Sequence, residues 1–353
     1  MRIGIPSETK TLEGRVALVP FACSDLVKAG HEVFIQSGAG LKSGFSDADF
    51  SKVGVNVVAD AASLFERAEL VVKVKEPIEG DLAHLRPDHR LFCYLHLAAE
   101  PQLTTALTDI GLTAVAFETV EDADGNLPLL APMSIIAGRI ATQVGTHLLH
   151  QPQGGRGVLL GGLAGAERGH VVVLGAGAAG GHAATLAAAG GARVTVFDKR
   201  PDRLDSMMAA GANIAALYPY TDAVAEAVAH ADLVIGAVLV TGARAPHVLT
   251  QRMVEQMPEG SVVIDISVDQ GGCFETTRPT SYQDPTYVID GVTHFAVTNM
   301  PGAVPRTASQ ALSAAILPYV MKMADASWED DAALQKGVNV RSGQIIHPAL
   351  AAA

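Results

Sequence analysis

Short runs of consecutive apolar, often β-branched residues alternate with helical patterns along most of this chain. In the first half, RIGIP, HEVFIQ, VNVV, ELVVKVK, RLFCYL and LTAVAFE read as strands, with helical patterns over 20–29 and 101–110. A long helical pattern over 131–151 follows. A second series opens with HVVVLGAG and continues through RVTVFD, DLVIGAVL, SVVIDISV and HFAVTN. It ends in a helix over 307–324, a polar segment and the tail AAA. Runs that are apolar throughout belong to strands covered on both faces, and strands spaced by helices are βαβ units of a parallel sheet. The pattern therefore predicts an α/β protein of two Rossmann-like, doubly wound parallel-sheet domains with a cleft between them. The glycine-rich stretch QGGRGVLLGGLAG at 153–165 reads as a hinge or domain joint.

Composition narrows the class. A chain of 353 residues exceeds what one core usually holds, which favours two domains. With 49% hydrophobic and 18% charged residues it is not a disordered chain. A net charge of −12 argues against nucleic acid or an anionic membrane as general partners, because both need clustered Lys and Arg. Cys23, Cys93 and Cys273 are far apart and form no CxxC, so neither a disulfide framework nor a metal site is expected, and a reducing cytoplasm fits. The N-terminal MRIGIPSETK lacks the apolar core of a signal peptide. The apolar run LVIGAVLV at 233–240 is shorter than the about 20 residues that span a bilayer.

HVVVLGAGAAGGHAATLAAAGGARVTVFDKR carries the most specific local signal. Gly175, Gly177 and Gly180 form GxGxxG directly after a strand and at the opening of a small-residue helix. Such glycines permit a tight turn, close approach of a pyrophosphate and close helix–sheet packing, while the helix N-terminus offers unpaired N–H groups. The next strand ends at Asp198, 18 residues after Gly180, where an acid accepts hydrogen bonds from ribose hydroxyls. That acid favours NAD over NADP as cofactor. Lys199, Arg200 and Arg203 beside it read as a solvated helix start.

Ligands of open α/β sheets bind outside the carboxyl ends of the strands. Polar residues there are Glu8 and Arg15 after the first strand, Lys75, His96, Glu118, Asp269 and Asn299. Each has a structural reading by itself: Arg15 as a surface arginine, His96 as a core histidine, Asp269 as the start of a turn. Together they offer two cations, an imidazole and carboxylates, which suits a small charged substrate. Asp265 reads as a buried structural acid, and Lys73 has no assigned role.

GIPSETK and EGRVALVP at 4–20, VVKVKEP, LHLAAE, LPLLAPMS, GGRGVLLGG, VVVLGAGAAG, DLVIGAVL, DISVDQGG and NMPGAVPRT occur in one order over nearly the whole chain. In this it resembles the alanine dehydrogenases of the alanine dehydrogenase/nicotinamide nucleotide transhydrogenase superfamily. The resemblance implies an NAD-dependent oxidoreductase of amino-acid catabolism, interconverting L-alanine with pyruvate and ammonium in the cytoplasm as a homohexamer. It implies His96 and Asp269 as catalytic groups, and Arg15, Lys75, Met133 and Asn299 as substrate contacts. It implies Ser134, Val238, Leu239, Ile266, Asp269, Asn299 and Met300 beside the glycines and Asp198 at the cofactor. It places a substrate domain at 1–128 with 305–353, and an NAD domain at 129–304. Two alternatives are the soluble NAD(H)-binding component of a transhydrogenase and a catalytically silent NAD-binding regulator. The chain departs from the family's pattern at Ile135-Ile136, where many members carry Glu-Val, and in TASQALSAA at 307–315.

Overall fold

The computed structural model describes residues 1–238 and 245–351. The chain divides into two compact units, Met1–Met133 with Gly302–Ala353, and Ser134–Pro301. In the first unit the strands are β1 (Arg2–Ile5), β2 (Glu32–Gln36), β3 (Asn56–Val58), β4 (Leu70–Val72), β5 (Arg90–Cys93) and β6 (Thr113–Ala116). The second unit holds β7 (His170–Leu174), β8 (Arg193–Phe197), β9 (Ile214–Leu217), β10 (Leu233–Gly236), β11 (Val262–Asp265), β12 (Thr286–Ile289) and β13 (Val292–Phe295). The chain then returns to the first unit with β14 (Val338–Arg341) and β15 (Gln344–Ile345).

Both sheets are wound in one order, β3-β2-β1-β4-β5-β6 and β9-β8-β7-β10-β11-β13. These strands are parallel. The order reverses between β1 and β4 and between β7 and β10, which are the ligand-binding switch points of such sheets. The sheets are mixed, not wholly parallel: β14 pairs antiparallel with β6, and β12 with β13. The added edges come from two tight hairpins absent from the strand pattern read above. Asp290-Gly291 and Ser342-Gly343 sit at their tips, all four at positive φ, as two-residue hairpin turns require.

Successive residues of the central strands face opposite sides. In the second unit Val171, Val173, Leu233 and Ile235 enter one core, and Val172, Leu174 and Val234 the other. That is why these runs are apolar at every position. The loop 153–165 is no joint: it lies inside the second unit, and Gly155, Gly161 and Gly162 pack too closely on backbone to carry side chains. A Cβ on Gly161 would meet Gly190 O at 2.3 Å, and Arg156 pairs with Asp232 at 2.5 Å.

In the first unit, the helix Pro305–Ala324 holds the segment that follows β1. Ser309 Oγ accepts from Val16 N at 2.9 Å and Ser313 Oγ from Val19 N at 3.1 Å. Both serines belong to the divergent TASQALSAA stretch. Among the described residues no helix is long and apolar enough to cross a membrane.

Candidate active site

The second unit builds a cradle at its switch point. Gly175, with φ +100, follows β7, and Gly177 caps the helix Ala178–Ala189. A Cβ on Gly180 would lie 1.8 Å from Gly175 O, and one on Gly175 2.5 Å from Ala237 O. Both glycines are therefore required by close packing. Gly177 is different: its Cβ would meet nothing closer than Arg203 Nη1 at 3.6 Å. The cradle is closed at two glycines and open at the one facing the helix N-terminus, which is the division of labour a pyrophosphate site needs. Asp198 is buried, accepting from Ala176 N at 2.7 Å and Arg200 N at 2.9 Å, with Arg203 Nη1 at 3.4 Å. Arg200 turns outward to Asp202.

Two strands from β7, Asp265 ends β11 and organises the next loop. Its carboxylate accepts from Ser267 N, Cys273 N and Phe274 N at 2.8–3.3 Å, and from Thr277 Oγ1 at 2.5 Å. It is the buried structural acid expected, at the end of its strand. Asp269 is exposed on the turn Ile266–Gln270, where its Oδ2 accepts from Asn299 N at 3.4 Å. Ile266 packs against the core, Val238 O accepts from Ser267 Oγ, and buried Met300 accepts at its carbonyl from Tyr282. Ser134 lies in the first turns of the helix Ala131–Leu148. Leu239 lies outside the described residues.

In the first unit the predicted residues gather at the ends of β1, β4 and β5. Arg15 is 2% exposed and no surface arginine. Its Nε and Nη2 donate to the two oxygens of buried Glu13 at 2.7 and 2.5 Å, and its Nη1 lies 3.2 Å from Met133 Sδ. Burial opposes the charge on Arg15, but Glu13 outweighs it and raises the guanidinium further above its usual range. Lys75 is half-buried; its backbone N–H donates to Glu8 at 3.3 Å, and its side chain makes no ion pair or hydrogen bond among the described residues.

His96 occupies the left-handed region at φ 50. Glu118 holds it there by accepting from Leu95 N and His96 N, with its Oε1 4.0 Å from His96 Nδ1. The imidazole, 34% exposed, lies parallel to the ring of Tyr94, whose OH donates to Leu129 O. Of the five non-glycine residues at positive φ among the described residues, two are His96 and Asn299. Each costs on the order of 1–3 kcal/mol, and such strain gathers at functional sites. Sequence reasoning did not find Glu13 or Tyr94. Glu13 stands two residues before Arg15, the one signal that could have found it.

The N-terminal domain model of the alanine dehydrogenase/PNT family matches residues 4–137, and the C-terminal domain model residues 141–348. The alanine dehydrogenase of Halomonas elongata is 48% identical over 358 residues, covering 100% of this chain and 96% of the relative. That of Mycobacterium tuberculosis is 47% identical, covering 98% and 95%. Among solved structures, an L-alanine dehydrogenase superposes with a TM-score of 0.95 at 49% identity, over 99% of this chain and 98% of that one. A transhydrogenase from Sinorhizobium meliloti gives 0.86 at 25% identity, over 99% and 100%. The chain belongs to the alanine dehydrogenase/PNT family.

Proposed function

We propose that this protein catalyses the NAD-dependent, reversible oxidative deamination of L-alanine to pyruvate and ammonium. The observation that carries the reading is the whole-chain match to alanine dehydrogenases at 47–49% identity, against 25% for the transhydrogenase. The unit Ser134–Pro301 takes the cofactor and the unit Met1–Met133 with Gly302–Ala353 the amino acid. The open Gly177 and the N–H groups behind it suit a pyrophosphate, and Asp198 suits the ribose hydroxyls. NAD, when bound, supplies the hydride acceptor.

The remaining chemistry belongs to side chains of this chain. Arg15, held by Glu13, supplies the guanidinium that binds the substrate carboxylate. Met133 stands there as an apolar wall. Lys75 places an ammonium where negative charge develops on the carbonyl oxygen. His96 moves a proton to and from water and the carbinolamine hydroxyl, the general acid–base task most often given to an imidazole. Asp269 steadies the cationic imine, and Asn299 holds Asp269 through its backbone N–H. Ser134, Val238, Leu239, Ile266 and Met300 line the cofactor. The protein works in the cytoplasm as a homohexamer with small molecules as its other partners; light scattering after size exclusion tests the assembly.

Oxidation of NADH with pyruvate plus ammonium tests the activity. No turnover with pyruvate, glyoxylate or 2-oxobutyrate defeats it, and NADH binding without turnover would mark a silent regulator. The likeness to the transhydrogenase supports hydride exchange between nucleotides as a second reading, which predicts ammonium-independent NADH oxidation by a second nicotinamide nucleotide. Replacing His96 by Ala should lower kcat by about 10²–10⁴-fold.

A further inference from the structure

One buried cation has no part in that chemistry. Lys73 is 1% exposed, with its Nζ 3.5 Å from Glu8 Oε2 and 3.1 Å from Asp81 Oδ2. The Nζ stands at ion-pair distance from both without ideal hydrogen-bond geometry. Burial alone would depress this ammonium, but Glu8 and Asp81 outweigh it and hold its pKa above the ordinary lysine value. Two carboxylates at these distances favour the charged form of Lys73. Replacing a whole buried ion group by apolar residues is often neutral or stabilising, whereas removing one member is strongly destabilising, so the group as a whole calls for a role beyond stability.

Each carboxylate has a second partner. Glu8 accepts from Val74 N at 2.7 Å and Lys75 N at 3.3 Å. Asp81 accepts from Ile78 N at 3.2 Å. Residues 74–78 lie between these two anchors and are neither helix nor strand. Lys75 sits in this segment, where one end is tied to Glu8, the other to Asp81, and Lys73 joins the two ties.

We propose that Lys73 is a positioning residue for Lys75: with Glu8 and Asp81 it clamps both ends of the 74–78 turn and so sets where the Lys75 ammonium stands against the substrate carbonyl. The inference rests on the activity proposed above. A shift of about 1 Å in a positioned group can cost on the order of 10²-fold in rate. Lys73 thus acts only on the substrate side, and the cofactor cradle does not depend on it.

The test uses full-length Lys73→Met, Lys73→Arg and Asp81→Asn. Steady-state kinetics with pyruvate and ammonium is read beside NADH affinity by fluorescence titration. Lys73→Met should lose about 10–100-fold in kcat/KM for pyruvate with NADH affinity unchanged. Asp81→Asn should move in the same direction by less, and Lys73→Arg should recover most of the loss. Wild-type kinetics in folded Lys73→Met overturns the proposal, as does a parallel loss of pyruvate turnover and NADH binding. If Lys73→Met does not fold, Asp81→Asn decides by the same two readings. A wild-type protein without pyruvate turnover removes the activity reading itself, whereas active wild type with unaffected variants removes only the role of Lys73.

Discussion

Substituting Gly177 by Ala separates cofactor binding from folding. Gly177 has φ −70 and ψ −166, open to any L-residue, and an added Cβ meets only the tip of Arg203. The folded protein gains no steric strain, and the lost freedom of the unfolded chain offsets the poorer N-cap, so the unliganded variant should stay within about 1 kcal/mol of the wild type. The same methyl stands where a pyrophosphate would approach the backbone. Losing one charge-assisted hydrogen bond costs about 1.5–3 kcal/mol, or roughly 10–150-fold in affinity. At an NADH concentration about 100 times the wild-type Kd, ligand stabilises the wild type by about 2.7 kcal/mol. A variant weakened about 100-fold gains only about 0.4 kcal/mol from the same ligand. For a unit of this size that is a wild-type Tm shift of about 5–11 °C, shrinking to about 1–2 °C. The assay is a thermal scan with and without NADH. A full NADH-induced shift in Gly177→Ala refutes the assignment, and so does a large loss of unliganded Tm. Gly180→Ala is the contrast: its Cβ meets Gly175 O at 1.8 Å, so it should destabilise the unliganded protein by about 1–3 kcal/mol.

Other outcomes follow from the buried polar groups. Asp265→Ala strands the N–H groups of Ser267, Cys273 and Phe274 and the Thr277 hydroxyl, at about 1–3 kcal/mol each, so urea unfolding should show a loss above about 3 kcal/mol; a loss under about 1 kcal/mol would mean the loop finds other acceptors. His89, His170 and His294 are depressed chiefly by burial. Their neutral forms stabilise the fold above the unfolded value of about 6.5, and that stability is lost as pH falls below it. Tm should therefore drop between about pH 6.5 and 5, and a flat profile there contradicts the assignment. All three cysteines are buried and their thiols are pushed above the usual range chiefly by burial, so iodoacetamide should label the native protein slowly and the denatured protein at all three. Rapid stoichiometric labelling of the native protein would show the burial to be wrong.

The winding of the second sheet was legible because its strands are apolar on both faces and its first turn carries three glycines. The residues at the strand ends were legible by the general rule for open sheets. Three features were not. The Asp290-Gly291 and Ser342-Gly343 hairpins join strands of two to four residues, too short for a periodicity to register, although each turn shows a hairpin dipeptide or its near equivalent. Glu13 looked like any acid in a polar loop, because its burial depends on Ser43, Ser309 and Ser313 holding the loop from elsewhere. Lys73 could not be explained without its partners, which stand 65 residues before it and eight after it in the chain. The loop 153–165 was misread because glycines for close packing and glycines for mobility look alike in sequence.

The serines of the helix Pro305–Ala324 and the pairing of Val338 with Val115 also set an order of maturation. The bond from Val16 to Ser309 spans 293 positions of chain. When a ribosome has delivered residue 301, the second unit is complete, whereas the first still lacks the strand beside β6 and the helix that pins the segment after β1. Closing contacts of such separation is slow, since the entropy of a long loop is lost before its contacts form. A nascent chain at that stage carries a complete second unit while the segment that bears Arg15 is still unfastened, so the first unit is the last to become competent.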